Sequence, residues 1–208
     1  MMNVIHNKEL LHIFGPPTTY GANQMWYSGM WKRRAGCGPT VCSHLMWYLS
    51  QTRPNCKNLC LHNGSTRLGF ACLMEDIWRY VTPGMRGLNS TSAFMDGAVL
   101  YGKERNVMLG CRVLNISPSK NERPPYAAVF HFVLSALLSN LPVAFLNLSN
   151  GVLQNLDNWH WVTLVGVDDD KKTAFMYDQG RAAEIRLEDW LETTTLGGGF
   201  VVLEPFDK

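Results

Sequence analysis

The sequence predicts an α+β fold, with helices in its first half and strands in its second. Between residues 40 and 104, apolar residues recur at helical spacing in three segments. After residue 140, short apolar runs typical of strands alternate with polar turns. A hydrophobic fraction of 46% with only 17% charged residues is enough for a sizeable packed core. We therefore expect one domain over residues 1–208, with a helical part at about 24–105 and a β-rich part at about 106–208.

The individual elements follow from periodicity and from glycine and proline breakers. Residues 1–36 show little regular pattern, so we expect mainly an extended lead-in. Helices are expected at residues 40–50, 69–80, 92–104 and 126–139. Strands are expected at residues 107–116, 142–148, 159–167, 173–177, 182–187 and 200–203. The polar run 168–172 predicts a hairpin turn, so the strands on either side of it should pair antiparallel.

Charge and cysteine content set limits on partners and location. The formal net charge of +2 predicts no strong preference for nucleic acid or anionic lipid. The first eleven residues lack the features of a signal peptide. No segment approaches the ~20 apolar residues that cross a bilayer. We therefore expect a cytoplasmic protein whose six cysteines are mostly free thiols.

Three cysteines and a histidine have the residue types of a metal site. Cys56, Cys60 and His62 form a C-x3-C-x-H pattern, and Cys72 follows on a predicted helix. Structural zinc sites more often use paired C-x2-C knuckles. The spacing favours a cysteine-rich loop and a buried helix thiol, and no metal or cofactor is expected.

The sharpest local signal is the run Gly36-Cys37-Gly38-Pro39-Thr40, which leads directly into a predicted helix. A thiol attacks as its thiolate, and the free N–H groups and dipole of a helix N-terminus favour an anion there. Gly36 and Gly38 permit a tight turn that leaves the sulfur open, and Pro39 suits the first helical turn. The alternative is an ordinary Gly-Pro turn that carries a cysteine by chance. The pattern makes Cys37 the candidate nucleophile.

The candidate base is His160, which begins a predicted strand after a polar loop. The next strand ends at Asp178, just before Gly180. Antiparallel pairing brings the start of one strand beside the end of the next, so Asp178 should lie next to His160 and orient its ring. The alternative is that His160 is hydrogen-bonded structurally at a strand edge and that Asp178 is an ordinary turn residue before Gly180. His44 is a rival on the helix of the candidate nucleophile, but we expect it to point away, and His131 is expected to be a core residue.

Several motifs together resemble the papain-like cysteine peptidases, especially the branch of bacteriocin leader-processing peptidases and their stand-alone relatives. A CGP(T/S/A) motif opening a helix is matched by Cys37–Thr40. A G/N-x-P-V strand is similar to Ser139–Val143, and an HWVxLVG strand is matched by His160–Gly166. An (N/Y)D before a turn is matched by Tyr177-Asp178. The resemblance spans Gln24 to Gly180 and implies a papain-like fold, with the site between a helical half and an antiparallel β half.

The resemblance also implies roles for individual residues. Cys37 would be the nucleophile, His160 the base and Asp178 the group that orients it. The family usually places an oxyanion-hole glutamine about six residues before the cysteine, where this chain has Trp31. Gln24 lies further upstream, and we expect a longer loop to return it to the site. Otherwise the backbone amide of Cys37 must hold the oxyanion alone.

The leading functional prediction is a thiol hydrolase that cleaves a peptide or related amide bond through a thioester. Two alternatives stay open: an acyltransferase that uses the same thioester, and an inactive peptide-binding module of the same fold. The expected partner is a substrate that contains a peptide or amide bond, and the protein would act on it alone or through a partner protein that the sequence does not identify. Five tryptophans lie near the proposed site in sequence and are expected to divide between core packing and an aromatic groove: Trp26, Trp31, Trp47, Trp159 and Trp161.

Overall fold

A computed structural model describes residues 2–206 of the chain. Its α-helices are α1 (Met30–Ala35), α2 (Cys37–Thr52), α3 (Arg67–Trp78), α4 (Thr91–Glu104), α5 (Tyr126–Leu138) and α6 (Leu187–Thr193). Its strands are β1 (Met2–Val4), β2 (His12–Ile13), β3 (Thr19–Tyr20), β4 (Leu109–Ile116), β5 (Val143–Asn147), β6 (His160–Asp168), β7 (Thr173–Asp178), β8 (Arg181–Arg186) and β9 (Gly198–Pro205). Short 3-10 turns join several of these elements.

Seven strands form one sheet in the order β4-β9-β5-β6-β7-β8, with β1 added beside β6. All of its neighbouring strands run antiparallel, and β2 and β3 form a separate small ribbon. The predicted α+β class is therefore confirmed, with the first four helices preceding most of the sheet. The hairpin of β6 and β7 pairs as expected, with Thr163 opposite Tyr177.

Helices pack on both faces of the sheet because successive side chains of a strand point to opposite faces. On one face, the Phe94 ring of α4 stacks on Trp161 with ring centroids 4.5 Å apart. Gly38 of α2 packs against the same indole. On the other face, Trp190 of α6 packs edge-on against Phe145 at 4.6 Å. This layering buries the hydrophobic core on both sides of β5 and β6.

Helix α2 is the central helix, and every residue from 37 to 50 is buried. It lies against α3, β5 and β6, so nearly all of its surface is covered, as expected for a helix that is apolar on most sides. It begins directly after Gly36, which ends α1 and caps α2. The N-terminus of α2 is thereby fixed beside the start of β6.

The predicted helices and strands agree with the structure to within a few residues at most ends, as expected for element boundaries. The N-terminal lead-in is more structured than the sequence predicted. It contains β1–β3 and the short helix α1, because its apolar residues pack on the main core. Helix α6 was also missed. Within residues 2–206, no helix is both long and apolar enough to span a membrane.

Candidate active site

Cys37 is the first residue of α2 and is only 9% exposed. Its neighbour Gly38 has no room for a side chain, since a Cβ there would lie 2.5 Å from the side chain of Leu88. Packing against Leu88 and Trp161 therefore favours glycine at this position in the first turn of α2. The sulfur lies at the helix N-terminus, where the unpaired N–H groups favour an anion.

His160 and Asp178 come together at the edge of the β6–β7 hairpin. His160 Nε2 donates a hydrogen bond to Asp178 Oδ1 at 2.7 Å. Asp178 is the last residue of β7, and Gln179 and Gly180 follow it with φ of 46° and 80°. Positive φ at both central residues is typical of the two-residue turn that matches strand twist. This tight turn holds the carboxylate at the end of its strand, next to the imidazole.

The electrostatics of His160 favour its charged form. Burial alone would lower the pKa of His160, but hydrogen bonds to Asp178 and Cys37 outweigh burial and raise the pKa to about 10. Because Nε2 is bonded to Asp178, the other ring nitrogen, Nδ1, faces the sulfur of Cys37. The imidazole thus lies between a carboxylate and a thiol, and it is protonated at neutral pH.

Gln24 lines the same narrow cavity as Cys37, His160 and Asp178. Its Nε2 donates to the carbonyl of Arg33 at 2.8 Å, while its Oε1 is buried without a hydrogen-bond partner among residues 2–206. One of its two amide hydrogens is therefore left for another acceptor. The structure brings Gln24 to the site despite its distance in sequence, whereas its role at an oxyanion stays a prediction.

His44 also lines this cavity, contrary to the expectation that it would point away. It lies two helical turns after Cys37, and a spacing of seven residues returns to the same helix face. That spacing was the sequence signal for its position. The amide of Ala22 donates to His44 Nε2 at 2.7 Å, and Nδ1 donates to Thr163 Oγ1 at 2.8 Å. Burial lowers the pKa of His44 to about 4, although the Asp178 carboxylate opposes the shift, so the ring is neutral.

The cavity at Cys37 is small, about 10 Å³, which is about the size of one water. Of the five tryptophans considered above, only Trp161 lines it. Trp47 and Trp161 are buried, Trp26 is half-buried, and Trp31 and Trp159 are about half exposed. Within residues 2–206, these five tryptophans therefore form no aromatic groove around the sulfur.

The remaining histidines and cysteines lie apart from this cavity. His62 pairs with Asp76 at 3.0 Å, and Arg105 binds the same carboxylate oxygen. His131 is exposed on α5, so the expectation that it belongs to the core is wrong. Within residues 2–206, all six cysteines are free thiols, and no cluster of three or more His, Cys, Asp or Glu side chains could hold a metal ion.

No protein-family model matches the chain, and no curated protein shows significant sequence similarity to it.

Proposed function

We propose that the protein is a papain-like thiol hydrolase that cleaves a peptide or related amide bond. The observation that carries this proposal is the position of His160 between Asp178 and Cys37, with Nε2 bonded to the carboxylate at 2.7 Å. A nucleophile, a base and a group that orients the base are the three parts that acyl transfer through a thiol requires. Cys37 also stands at a helix N-terminus, which stabilises negative charge.

The proposed reaction has two steps. In the first, Cys37 Sγ attacks the carbonyl carbon, and the amine leaves with a proton from His160. In the second, water loses a proton to His160 and attacks the thioester, which releases the acid and restores the pair of Cys37 thiolate and His160 imidazolium. Asp178 keeps the imidazole in one orientation throughout and stabilises its charge. The free amide hydrogen of Gln24 and the backbone N–H of Cys37 are the candidate oxyanion donors.

The test is the rate of Cys37 alkylation by iodoacetamide as a function of pH, followed by peptide mass mapping. We expect fast alkylation well below the free-thiol pKa of ~8.5, because a protonated imidazole favours the thiolate. His160→Ala should abolish this low-pH reactivity. His131→Ala is the matched control, since this histidine is exposed and far in sequence from the site, and it should leave the profile unchanged. A Cys37 that titrates like a free thiol and ignores His160 refutes the hydrolase.

A peptide-binding module of the same fold is the second candidate. It is favoured by the small volume of the cavity and by the hydrogen bond that holds Gln24 on the Arg33 carbonyl. Both features describe a site that must open before a carbonyl carbon reaches the sulfur. This candidate predicts that Cys37 reacts slowly and that bound peptides stay intact, as followed by mass spectrometry.

A further inference from the structure

A second cavity, of about 470 Å³, lies on the sheet beside the N-terminal residues. We name it the arm cavity; it is lined by β1, β6, β7 and β8, by Lys8, and by the β2–β3 ribbon. Its volume falls in the range of sites that bind small molecules and short peptides, ~300–1,000 Å³. It is distinct from the cavity at Cys37, and among the described residues only Tyr177 lines both.

The floor of the arm cavity is apolar. Residues from four adjacent strands supply it, with Phe175 and Ala182 facing the space along with Val4 and Val165. Phe175 is only partly buried, so its ring is available to a ligand. Covering such a surface with an apolar side chain is favourable by roughly 25 cal/mol per Å².

Two polar side chains in the wall of the arm cavity are hydrogen-bonded to each other. His12 Nε2 and the Tyr177 hydroxyl are hydrogen-bonded at 3.0 Å, and both rings contact Tyr20. Burial lowers the pKa of His12, which keeps it neutral near pH 7, although nearby Glu9 opposes this shift. These groups shape the wall without contributing charge.

Two opposite charges at the arm cavity have no side-chain partner among the residues that the structure describes. Lys8 and Glu184 both line it, and neither side chain forms a hydrogen bond or an ion pair within residues 2–206. An anionic ligand would pair with Lys8 but leave the Glu184 carboxylate unpaired. A cationic ligand would pair with Glu184 but leave the Lys8 ammonium group unpaired. A ligand with one charge of each sign pairs both.

The width of the floor sets the length of the ligand. Four strands at about 4.8 Å spacing span about 14 Å. An extended chain advances about 3.3 Å per residue, so about four residues cover this distance. Free amino acids, in which the two charges are adjacent, are too short to reach across it.

We propose that the arm cavity binds a short apolar peptide with free termini, its carboxylate on Lys8 and its ammonium group on Glu184. This proposal does not rest on the proposed hydrolase, because none of its residues is Cys37, His160 or Asp178. Recognition of both termini distinguishes such a peptide from a longer chain or a fatty acid.

The experiment is isothermal titration calorimetry of the full-length Cys37→Ala protein, which cannot cleave the probe through Cys37. The probes are the tetrapeptide Leu-Ala-Ala-Leu, its N-acetyl form, its C-terminal amide and octanoate. We expect one-to-one binding of the free tetrapeptide and up to about fivefold weaker binding of each singly blocked form, because partly exposed ion pairs contribute up to about 1 kcal/mol. Lys8→Met should remove the advantage of the free carboxylate, and Glu184→Gln that of the free amine.

Matched controls are Lys57→Met and Glu104→Gln, two exposed residues that do not line the arm cavity and that should leave binding unchanged. Circular dichroism establishes that each variant is folded. Absence of binding at millimolar tetrapeptide overturns the proposal, as does equal affinity for blocked and free peptides or for octanoate. If the peptide does not bind, the expected alkylation of Cys37 is unchanged. If Cys37 is alkylated slowly, the expected binding of the peptide is unchanged. The two proposals can therefore be refuted separately.

Discussion

Replacing His44 with Leu is expected to destabilise the protein by about 2–4 kcal/mol, since an unsatisfied buried polar group costs about 1–3 kcal/mol. The substitution removes the acceptor of the Ala22 amide and the donor to Thr163, and all three residues are buried. For a chain of this length, about 1 kcal/mol corresponds to a change in Tm of about 2–4 °C. We therefore expect the Tm to fall by about 5–15 °C.

The assay is urea unfolding followed by tryptophan fluorescence, with the free energy of unfolding extrapolated to water. His44→Gln is the matched variant, because its carboxamide retains one acceptor and one donor, and it should lose less stability than His44→Leu. If His44→Leu unfolds within about 0.5 kcal/mol of the wild type, the two hydrogen bonds contribute nothing and the reasoning is refuted.

The neutral state of His44 adds a pH dependence to the same prediction. Its pKa is about 4 in the folded protein and near 6.5 when unfolded, so the unfolded state takes up its proton first as the pH falls. The stability from neutral His44 is thus present above pH 6.5 and is lost as the pH falls toward 4. Between pH 7 and 4.5 this loss amounts to about 2 kcal/mol. The difference in unfolding free energy between wild type and His44→Gln should shrink by this amount, since the other groups cancel.

Two further substitutions test the site and its support. Asp178→Asn keeps a neutral acceptor for His160 Nε2 but removes the negative charge that raises the pKa of His160. This pKa should fall from about 10 toward its ordinary value, as followed by NMR titration of the ring protons; an unchanged pKa contradicts the assignment. Gly38→Ala places a Cβ 2.5 Å from the Leu88 side chain and should cost about 1–3 kcal/mol in chemical unfolding. Gly84→Ala, with open space around its Cβ, is the control, and equal losses in both variants would contradict the packing argument.

The parts of the fold that the sequence predicted are those determined by local pattern. The helices α2 to α5 show apolar residues at helical spacing, and the strands β4 to β9 are short apolar runs between polar turns. The short hairpin between β6 and β7 determines how these two strands pair. Antiparallel pairing alone was enough to bring Asp178 beside His160. Residues close in sequence across a tight turn have few alternative arrangements, which is why this part of the site could be anticipated.

The path of the N-terminal residues was not predictable in the same way, because it depends on contacts between distant parts of the chain. The amide of Tyr20 bonds the carbonyl of Gly180, and the carboxamide of Asn23 bonds the carbonyl of Gln179. The amide of Ala22 bonds His44 between these two anchors. Each of these bonds uses at least one backbone group, which is present whatever the side chain is, so no residue pattern signals them.

These anchors connect the hairpin turn after Asp178 to the residues that carry Gln24. The carbonyl of Gln179 binds the Asn23 side chain, and Asp178 directly precedes Gln179. The same two-residue turn therefore fixes the positions of the Gln24 carboxamide and of the Asp178 carboxylate. A chain with its glutamine close to the cysteine would set that position through a short loop. Here a longer segment requires separate attachment to α2 and to the β7–β8 turn, and buried His44 provides the attachment to α2. The long segment between Gln24 and Cys37 and the neutral histidine in the wall of their cavity are thus two parts of one arrangement.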